Sequence, residues 1–440
     1  MALTFKRGVH PPHGKHLTEN NKIEYLLPKG LLVFPMVQHI GAPCEPLVKK
    51  GERVLLGQKI GEGKGFVTAP IHSSVSGLVK DIAPMPHPNG SKVLSIIVEN
   101  DGLYEKHESL VPKQDYRSLS KEELLKIIQE AGVVGMGGAT FPTHVKLSPP
   151  PDKKIDTIII NGAECEPYLT SDYRVMLEET QRVVDGLKII LHMFPGAKGY
   201  IGIEDNKPAA IEAVKRAVKD EANIEVKVLK TKYPQGGEKQ LIYAITRRQV
   251  PSGKLPADVG CIVQNIETAV AIERAVLRGR PVMRRIVTVT GGAINNPKNF
   301  NVRIGTTYRE LIEAAGGFKE EPIKIISGGP MMGIAIHTLD VPVTKGTSAI
   351  LCLTREEAVL PEEMNCIRCG KCIQACPMNL LPTMLNSLAL KGDYEAFEKY
   401  HGLDCIECGS CSFVCPSKRH LVQSIRTAKR TVLANKKKTK

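Results

Sequence analysis

The chain has 440 residues and an ordinary 42 % hydrophobic content, so at roughly 100–200 residues per domain three or four domains are predicted. No run approaches the roughly 18 apolar residues of a membrane span, and Met1 to Gly14 lacks the apolar segment of a secretory signal. A protein soluble in, or peripheral to a membrane of, a reducing compartment is therefore predicted. The formal charge of +14 is concentrated late, with nine Lys or Arg and no Asp or Glu from Cys408 to Lys440. Such an excess suits anionic lipid or an acidic protein partner. Nucleic acid is disfavoured, because there is no Trp, aromatics are 5 %, and no stacking platform interleaves with the basic run. The Lys436-Lys437-Lys438 tail reads more readily as a solvated end than as a binding device.

Residues 1–115 are rich in Gly and Pro, with short β-like runs. Val48 to Gln58 predicts strand, turn, strand, and further strands are expected at Gly77–Ile82 and Val93–Val98. This segment resembles the barrel-sandwich hybrid of biotinyl and lipoyl domains, which carry a cofactor on a lysine at a hairpin tip. Lys64, in the short Gly61–Gly65 hairpin, lacks the usual Met-Lys or Asp-Lys context. The preferred reading is a docking module without the modification.

Residues 116–280 alternate strands and helices. Ser120 and Glu123 form a predicted capping box for a helix ending at Gly132. Strands are expected at Ile155–Ile160, Tyr200–Ile203 and Ile224–Leu229, with helices at 174–193 and 206–220. That order predicts a parallel sheet covered by helices, with ligands at the carboxyl ends of its strands. Gly135, Gly137 and Gly138 lie in a loop followed by Lys146. Glycines let backbone N–H groups approach a phosphate, and a lysine can offset its charge. The loop is not the dinucleotide fingerprint, since Thr140 stands where Gly or Ala is required. By composition alone it is either a phosphate cradle or a turn.

Four segments in order resemble the flavoprotein subunit of respiratory complex I: Gly135–Lys146, Asn161–Pro167, Tyr233–Glu238 and Val263–Thr268. The resemblance implies FMN and NADH binding. It assigns Gly135, Gly137, Gly138 and Lys146 to the phosphate and ribityl cradle. Asn161, Glu164, Tyr233, Gly236, Asn265 and Thr268 become further flavin contacts, and Phe141, Glu166 and Glu238 fall on the nicotinamide nucleotide side. The chain departs from that family at Ala163, Gly237 and Gln264, and at Pro149, where the family has a second aromatic residue. Cys165 replaces a serine, either to touch flavin or to fill space. No residue receives a catalytic role.

Residues 281–345 read as a small mixed domain. The strand Arg285–Thr290, the helix Thr307–Ala315 and the strand Ile323–Ser327, with Gly-Gly turns, resemble the β-grasp domain called SLBB. Residues 346–440 hold eight of the twelve cysteines in two copies of one pattern. Cys366, Cys369, Cys372 and Cys376 precede Pro377, and Cys405, Cys408, Cys411 and Cys415 precede Pro416. Zinc knuckles rarely show three evenly spaced cysteines and a Cys-Pro, and disulfides suit a secreted chain. The pattern is the bacterial ferredoxin run, which ligates [4Fe–4S] clusters. In two-cluster ferredoxins the fourth cysteine serves the other cluster. That implies one cluster on Cys366, Cys369, Cys372 and Cys415, and another on Cys405, Cys408, Cys411 and Cys376. Leu380–Tyr400 and Leu421–Leu433 are predicted helices. Cys44, Cys165, Cys261 and Cys352 are expected to be buried. His10, His13, His72, His87 and His144 share no ligand spacing and read as loop histidines.

The order sandwich, α/β flavin domain, β-grasp, dicluster ferredoxin-like domain, with Phe5–Pro12 at the start, resembles the RnfC subunit family of Rnf-type ion-translocating ferredoxin:NAD oxidoreductases. A related plan occurs in a corrinoid reductase, whose implied alternative is a soluble flavin and iron–sulfur reductase. The Rnf resemblance implies FMN, two [4Fe–4S] clusters and NAD(H) as cofactors. It implies membrane-integral and iron–sulfur partner subunits, ferredoxin as an indirect partner, and a peripheral place on the cytoplasmic face of the cell membrane.

Overall fold

Two layers of short strands open the fold. A computed structural model describes residues 2–112, 115–358 and 361–438. Met1, residues 113–114 inside the first predicted domain, and residues 359–360 and 439–440 inside the last lie outside them, as do the side chains of Lys437 and Lys438. One sheet orders the strands Leu31–Pro35, Lys92–Asn100, Gly77–Pro86 and Arg53–Val54, and the other orders Cys44–Pro46, Lys59–Gly63 and Ile71–His72. Alternate side chains meet between them, with Leu32, Phe34, Val54, Ile60, Ile96 and Val98 excluded from water. The expected pair of strands over Val48–Gln58 shrinks to Arg53–Val54. Gly51 and Gly57 both hold φ of 86° there, so the chain turns on either side of those two residues.

A four-stranded parallel sheet forms the second unit, ordered Ile224–Leu229, Lys198–Glu204, Thr157–Gly162, Cys261–Asn265. Chain order reverses between Thr157–Gly162 and Cys261–Asn265. A crevice opens at the carboxyl ends of two such strands because their connections leave in opposite directions. The capping box at Ser120 and Glu123 forms and opens the helix Lys121–Glu130. The predicted helix over 174–193 is two helices, Ser171–Glu178 and Thr180–His192.

The third unit is a six-stranded mixed sheet, ordered Ile23–Leu26, Lys298–Arg303, Arg284–Thr290, Ala349–Leu353, Lys324–Ser327, Ile334–Ile336. Two of its strands come from outside residues 281–345. Ala349–Leu353 is buried throughout and pairs with both Arg284–Thr290 and Lys324–Ser327. Ile23–Leu26 extends one edge in parallel with Lys298–Arg303. The first 26 residues thus run along the later units, bridging Leu3 to Leu229 and Val9 to Tyr233. Pairing open sheet edges satisfies backbone groups that would otherwise face solvent.

The last unit is helical. Pro382–Lys391, Tyr394–Lys399 and Leu421–Lys438 pack around Leu385, Phe397, Ile425 and Val432. The predicted helix Leu380–Tyr400 is broken at Gly392, which caps Pro382–Lys391 at φ 72°. Among the described residues no helix is long and apolar enough to cross a membrane. Cys44, Cys261 and Cys352 are buried and Cys165 is partly so. Two of the expected loop histidines are core residues instead. His72 ends a strand at 6 % exposure and His144 lies in the helix Thr143–Lys146 at 2 %.

Candidate flavin and cluster sites

The switch point of the parallel sheet gathers residues from four distant segments. Asn161 ends one central strand, and its amide donates to the Gly236 carbonyl at 2.9 Å. Asn265 ends the neighbouring strand. Its side-chain oxygen caps the helix Ile266–Arg278 through the Glu267 N–H at 2.8 Å. Thr268, one turn in, accepts the Met136 N–H at 2.9 Å. That bond holds the glycine loop over the helix start. A Cβ on Gly137 would lie 3.1 Å from Asn265, and Gly138 adopts φ 133° over open space. Gly135 donates to the Phe141 carbonyl at 2.9 Å, which closes the loop. Lys146 reaches Glu238 at 2.7 Å and the Val263 carbonyl at 2.8 Å.

This setting suits an anionic, hydrogen-bonding ligand such as the flavin mononucleotide. The loop exposes backbone beside a helix N-terminus, where N–H groups and the helix dipole favour phosphate. Gln264, at 2 % exposure, has neither end of its amide bonded among the described residues. Buried amides without partners are rare and mark places where another group belongs.

Three residues expected to touch ligand are engaged elsewhere. The Glu164 carboxylate, at φ 46°, accepts the Asp172 N–H at 2.7 Å and the Tyr173 N–H at 3.3 Å. It starts the helix Ser171–Glu178 from below the crevice. Glu166 accepts from Met331 at 3.2 Å and Met332 at 2.9 Å, binding the Gly328–Gly333 turn of the β-grasp unit. Tyr233 is 1 % exposed and donates its hydroxyl to the Cys408 carbonyl at 2.8 Å. Phe141 is half-buried beside the glycine loop.

Burial pushes the Glu166 carboxyl up to about 7, against the opposing pull of the Met331 and Met332 N–H groups. The folded form therefore holds this proton more tightly than the unfolded chain. The resulting stability is complete below pH 4.5, the ordinary value, and is lost as pH rises through about 7. Its full size is on the order of 3 kcal/mol. Urea titrations of the Glu166→Gln variant across that window are expected to show a flatter pH dependence. An unchanged slope would assign the effect to another group.

Several site residues carry no local sequence signal. The Lys15 ammonium is buried and donates to the carbonyls of Glu164, Glu166 and Leu169 at 3.0, 3.0 and 2.5 Å. Lys207 donates to the Ala163 carbonyl at 2.8 Å. Asp172 accepts from the Asn265 amide at 2.6 Å. Burial first, then the charges of Glu164 and Glu267, push Asp172 up to about 8. The Cys165 thiol accepts the Gly236 N–H at 3.2 Å, and burial raises its pKa. Each depends on a partner remote in the chain or on burial, so no spacing announces it.

The two cysteine runs fold alike. Arg368 and Glu407 take φ of 56° and 58°, and each N–H points at the sulfur two residues earlier at 3.4 Å. Gly370 and Gly409 follow at 74° and 77°, and each begins a short helix, Lys371–Ala375 and Ser410–Phe413. Cys376, Cys405, Cys408 and Cys411 line one cavity whose remaining walls are mostly apolar. Burial, then the neighbouring Cys405, Cys408 and Cys376, pushes the Cys411 thiol up to about 12. Cys372 feels Cys415 in the same way, after burial. Among the described residues no three His, Cys, Asp or Glu side chains are grouped to hold a single ion. Sulfurs spread along a cavity suit a multi-atom cubane. Cys366 and Cys369 are exposed, as are their neighbours Met364 and Ile367.

The two kinds of site adjoin. Val9, Tyr233, Ala375 and Cys408 form one buried group with Cys165, Met331 and Ile406 packed against it. The Gly328–Gly333 turn touches the second run too, where a Cβ on Gly409 would lie 2.9 Å from the Met331 carbonyl.

Known families match each unit in turn. The RnfC barrel sandwich hybrid domain matches residues 3–103 and the Nuo51 FMN-binding domain residues 128–274. The SLBB domain matches 286–335 and the 4Fe-4S dicluster domain 365–419. The chain is 54 % identical to the RnfC-type subunit of the proton-translocating ferredoxin:NAD(+) oxidoreductase complex of Clostridium ljungdahlii, over 98 % of this chain and 94 % of that one. Identity to the corresponding subunit of the Na(+)-translocating ferredoxin:NAD(+) oxidoreductase complex of Acetobacterium woodii is 49 %, over 99 % and 98 %. The matching subunit of the ion-translocating oxidoreductase complex of Rhodobacter capsulatus is 42 % identical, over 91 % and 77 %. With similarity of this depth along almost the whole chain, and its four units in the same order, the chain belongs to the RnfC subunit family of ion-translocating ferredoxin:NAD(+) oxidoreductase complexes.

Proposed function

We propose that this chain exchanges reducing equivalents between NAD(H) and a two-cluster relay, as the peripheral electron-transfer subunit of a membrane-bound ferredoxin:NAD oxidoreductase. FMN, when bound, interconverts two-electron hydride exchange and the single-electron traffic that iron–sulfur clusters carry. Gly135, Gly137, Gly138 and Lys146 hold its phosphate and ribityl chain. Asn161, Gly236, Asn265 and Thr268 position it from the two strand ends. Phe141 and Glu238 lie on the side open to the nicotinamide nucleotide. Glu164, Glu166 and Tyr233 act as positioning residues, because their polar groups are committed to the helix Ser171–Glu178, the β-grasp turn and Cys408.

The observation that carries this reading is the 2.8 Å bond from the Tyr233 hydroxyl to the Cys408 carbonyl. Tyr233 precedes Gly236 at the flavin crevice by three residues, and Cys408 lines the cavity of Cys376, Cys405 and Cys411. A route from flavin to the second-run cavity, then to the seat of Cys366, Cys369, Cys372 and Cys415, follows from that adjacency. The exposure of Cys366 and Cys369 supports an exit to a partner subunit at that end. Iron–sulfur and membrane-integral subunits are the partners proposed, with ferredoxin acting through them and docking on the cytoplasmic face.

Anaerobic NADH titration of the cluster-reconstituted protein tests the path. Flavin bleaching together with reduced-cluster EPR signals is expected. Cluster reduction by dithionite with no response to NADH would refute the nucleotide half. Lys146→Met is expected to weaken FMN binding about tenfold or more, by removing a charge-assisted phosphate contact. Fluorescence titration of the flavin-free protein measures that loss.

A further inference from the structure

Behind the helix Ile266–Arg278, away from the flavin crevice, the parallel and six-stranded sheets meet at a cleft with about 220 Å³ of internal space. Its lining holds Arg182, Arg274, Arg278, Arg280, Arg284 and Arg303 against only two carboxylates, Glu179 and Glu267. Glu267 is occupied, with one oxygen 3.0 Å from buried Arg285 and the other accepting the Ile286 N–H at 2.9 Å. Glu179 alone faces Arg182 at 3.2 Å, Arg274 at 2.8 Å and Arg284 at 2.8 Å. Arg278 turns to Glu273 at 2.8 Å.

Arg280 and Arg303 have no carboxylate within 4.0 Å among the described residues. Burial works against the charge of Arg303, Tyr104 supports it, and the crowding cations Arg284 and Arg280 oppose it again. Cations gathered in a partly desolvated cleft are costly unless an anion joins them. The floor is apolar, with Val270, Val282 and Met283, and Tyr25 stands at the mouth at 77 % exposure. Guanidinium forks match the oxygens of phosphate bidentately, and clefts between domains with an apolar floor and a few polar anchors are common ligand sites.

We propose that this cleft binds a phosphate-bearing ligand. Arg274, Arg280, Arg284 and Arg303 take the phosphate, and Val282, Met283 and Tyr25 take the attached apolar part. None of the residues assigned to flavin or nicotinamide nucleotide lines the cleft. The site is therefore separate from the one that NADH would reduce.

The test is calorimetric titration of the full cluster-loaded chain with pyrophosphate and with inorganic phosphate, beside sedimentation with phosphatidylglycerol vesicles. Pyrophosphate is expected to bind once per chain. Affinity is expected to fall about tenfold or more in Arg280→Gln, and further when Arg303→Gln is added. Arg280 is exposed and makes no ion pair among the described residues, so its variant should fold, as an unchanged flavin and cluster spectrum would confirm. Lys146→Met should leave this binding intact. Vesicle binding alone, lost in the same variants, would identify the phosphate as a lipid headgroup and uphold the site. Absence of both kinds of binding, binding indifferent to Arg280 and Arg303, or binding abolished by Lys146→Met would overturn the proposal.

Discussion

Replacing Cys376 with alanine is expected to remove the cluster of the second run, not the first, and to cut the iron content of the reconstituted protein by about half. Cys376 lies in the first run by sequence but lines the cavity of Cys405, Cys408 and Cys411. The Cys415→Ala variant should lose the same amount of iron from the opposite seat, where Cys372 and Cys415 sense one another. The two variants should separate sharply in function. Cys408 is hydrogen-bonded to Tyr233, so Cys376→Ala breaks the relay at its flavin end. NADH should then bleach flavin without reducing the surviving cluster. In Cys415→Ala, NADH should still reduce the cluster that remains, while transfer to an external acceptor falls. EPR after NADH addition distinguishes the two. The reverse pattern would refute the crossed assignment and the order of the relay together.

The second large effect is on stability. Lys15→Met is expected to destabilise the protein by about 3–5 kcal/mol, the range for removing one partner of a buried charged network. The ammonium donates to three carbonyls of the segment 164–169 and lies 3.8 Å from the Glu164 carboxylate. Its loss leaves those carbonyls buried without donors and strips a counter-charge from Glu164. The same segment carries Cys165 and follows the strand of Asn161, so flavin retention should fall as well. Arginine is not a substitute, because its planar fork cannot point three donors into so compact a site. Urea unfolding and flavin content of the purified variant measure both effects. Unchanged values in both would show that the N-terminal segment merely covers the crevice.

The parts of this protein legible in its sequence share a physical property: each is set by spacing within a few residues. The capping box of Ser120 and Glu123 is a contact across three positions, and it forms. The strand Ile224–Leu229 has the bounds expected from its apolar run. The cysteine runs close tight turns on themselves, and their repeated φ values follow from the repeated spacing. Readings failed where a local pattern met a remote partner. Val48–Gln58 looked like two strands, but only Arg53–Val54 pairs, with Gly77 and Leu78. His72 and His144 carried no local mark of burial, since the sheets and helices that cover them come from elsewhere in the chain.

Within the site the same division holds. Glu164, Glu166 and Tyr233 sit in the segments that the flavoprotein resemblance picked out, yet their polar groups point to a helix start, a β-grasp turn and a cysteine loop. Residue type and spacing define which chemistry a segment can carry, but the direction of a side chain depends on which neighbour offers it a partner once water is excluded. By itself the sequence determined two cluster-binding runs, a parallel α/β sheet with its glycine loop, and the order of four units. Only the tertiary structure decided that Lys15 holds the flavin segment, that Tyr233 joins it to Cys408, and that six arginines meet in one cleft. These contacts join residues far apart in the chain, and burying a polar group makes it costly to leave any of them unmade.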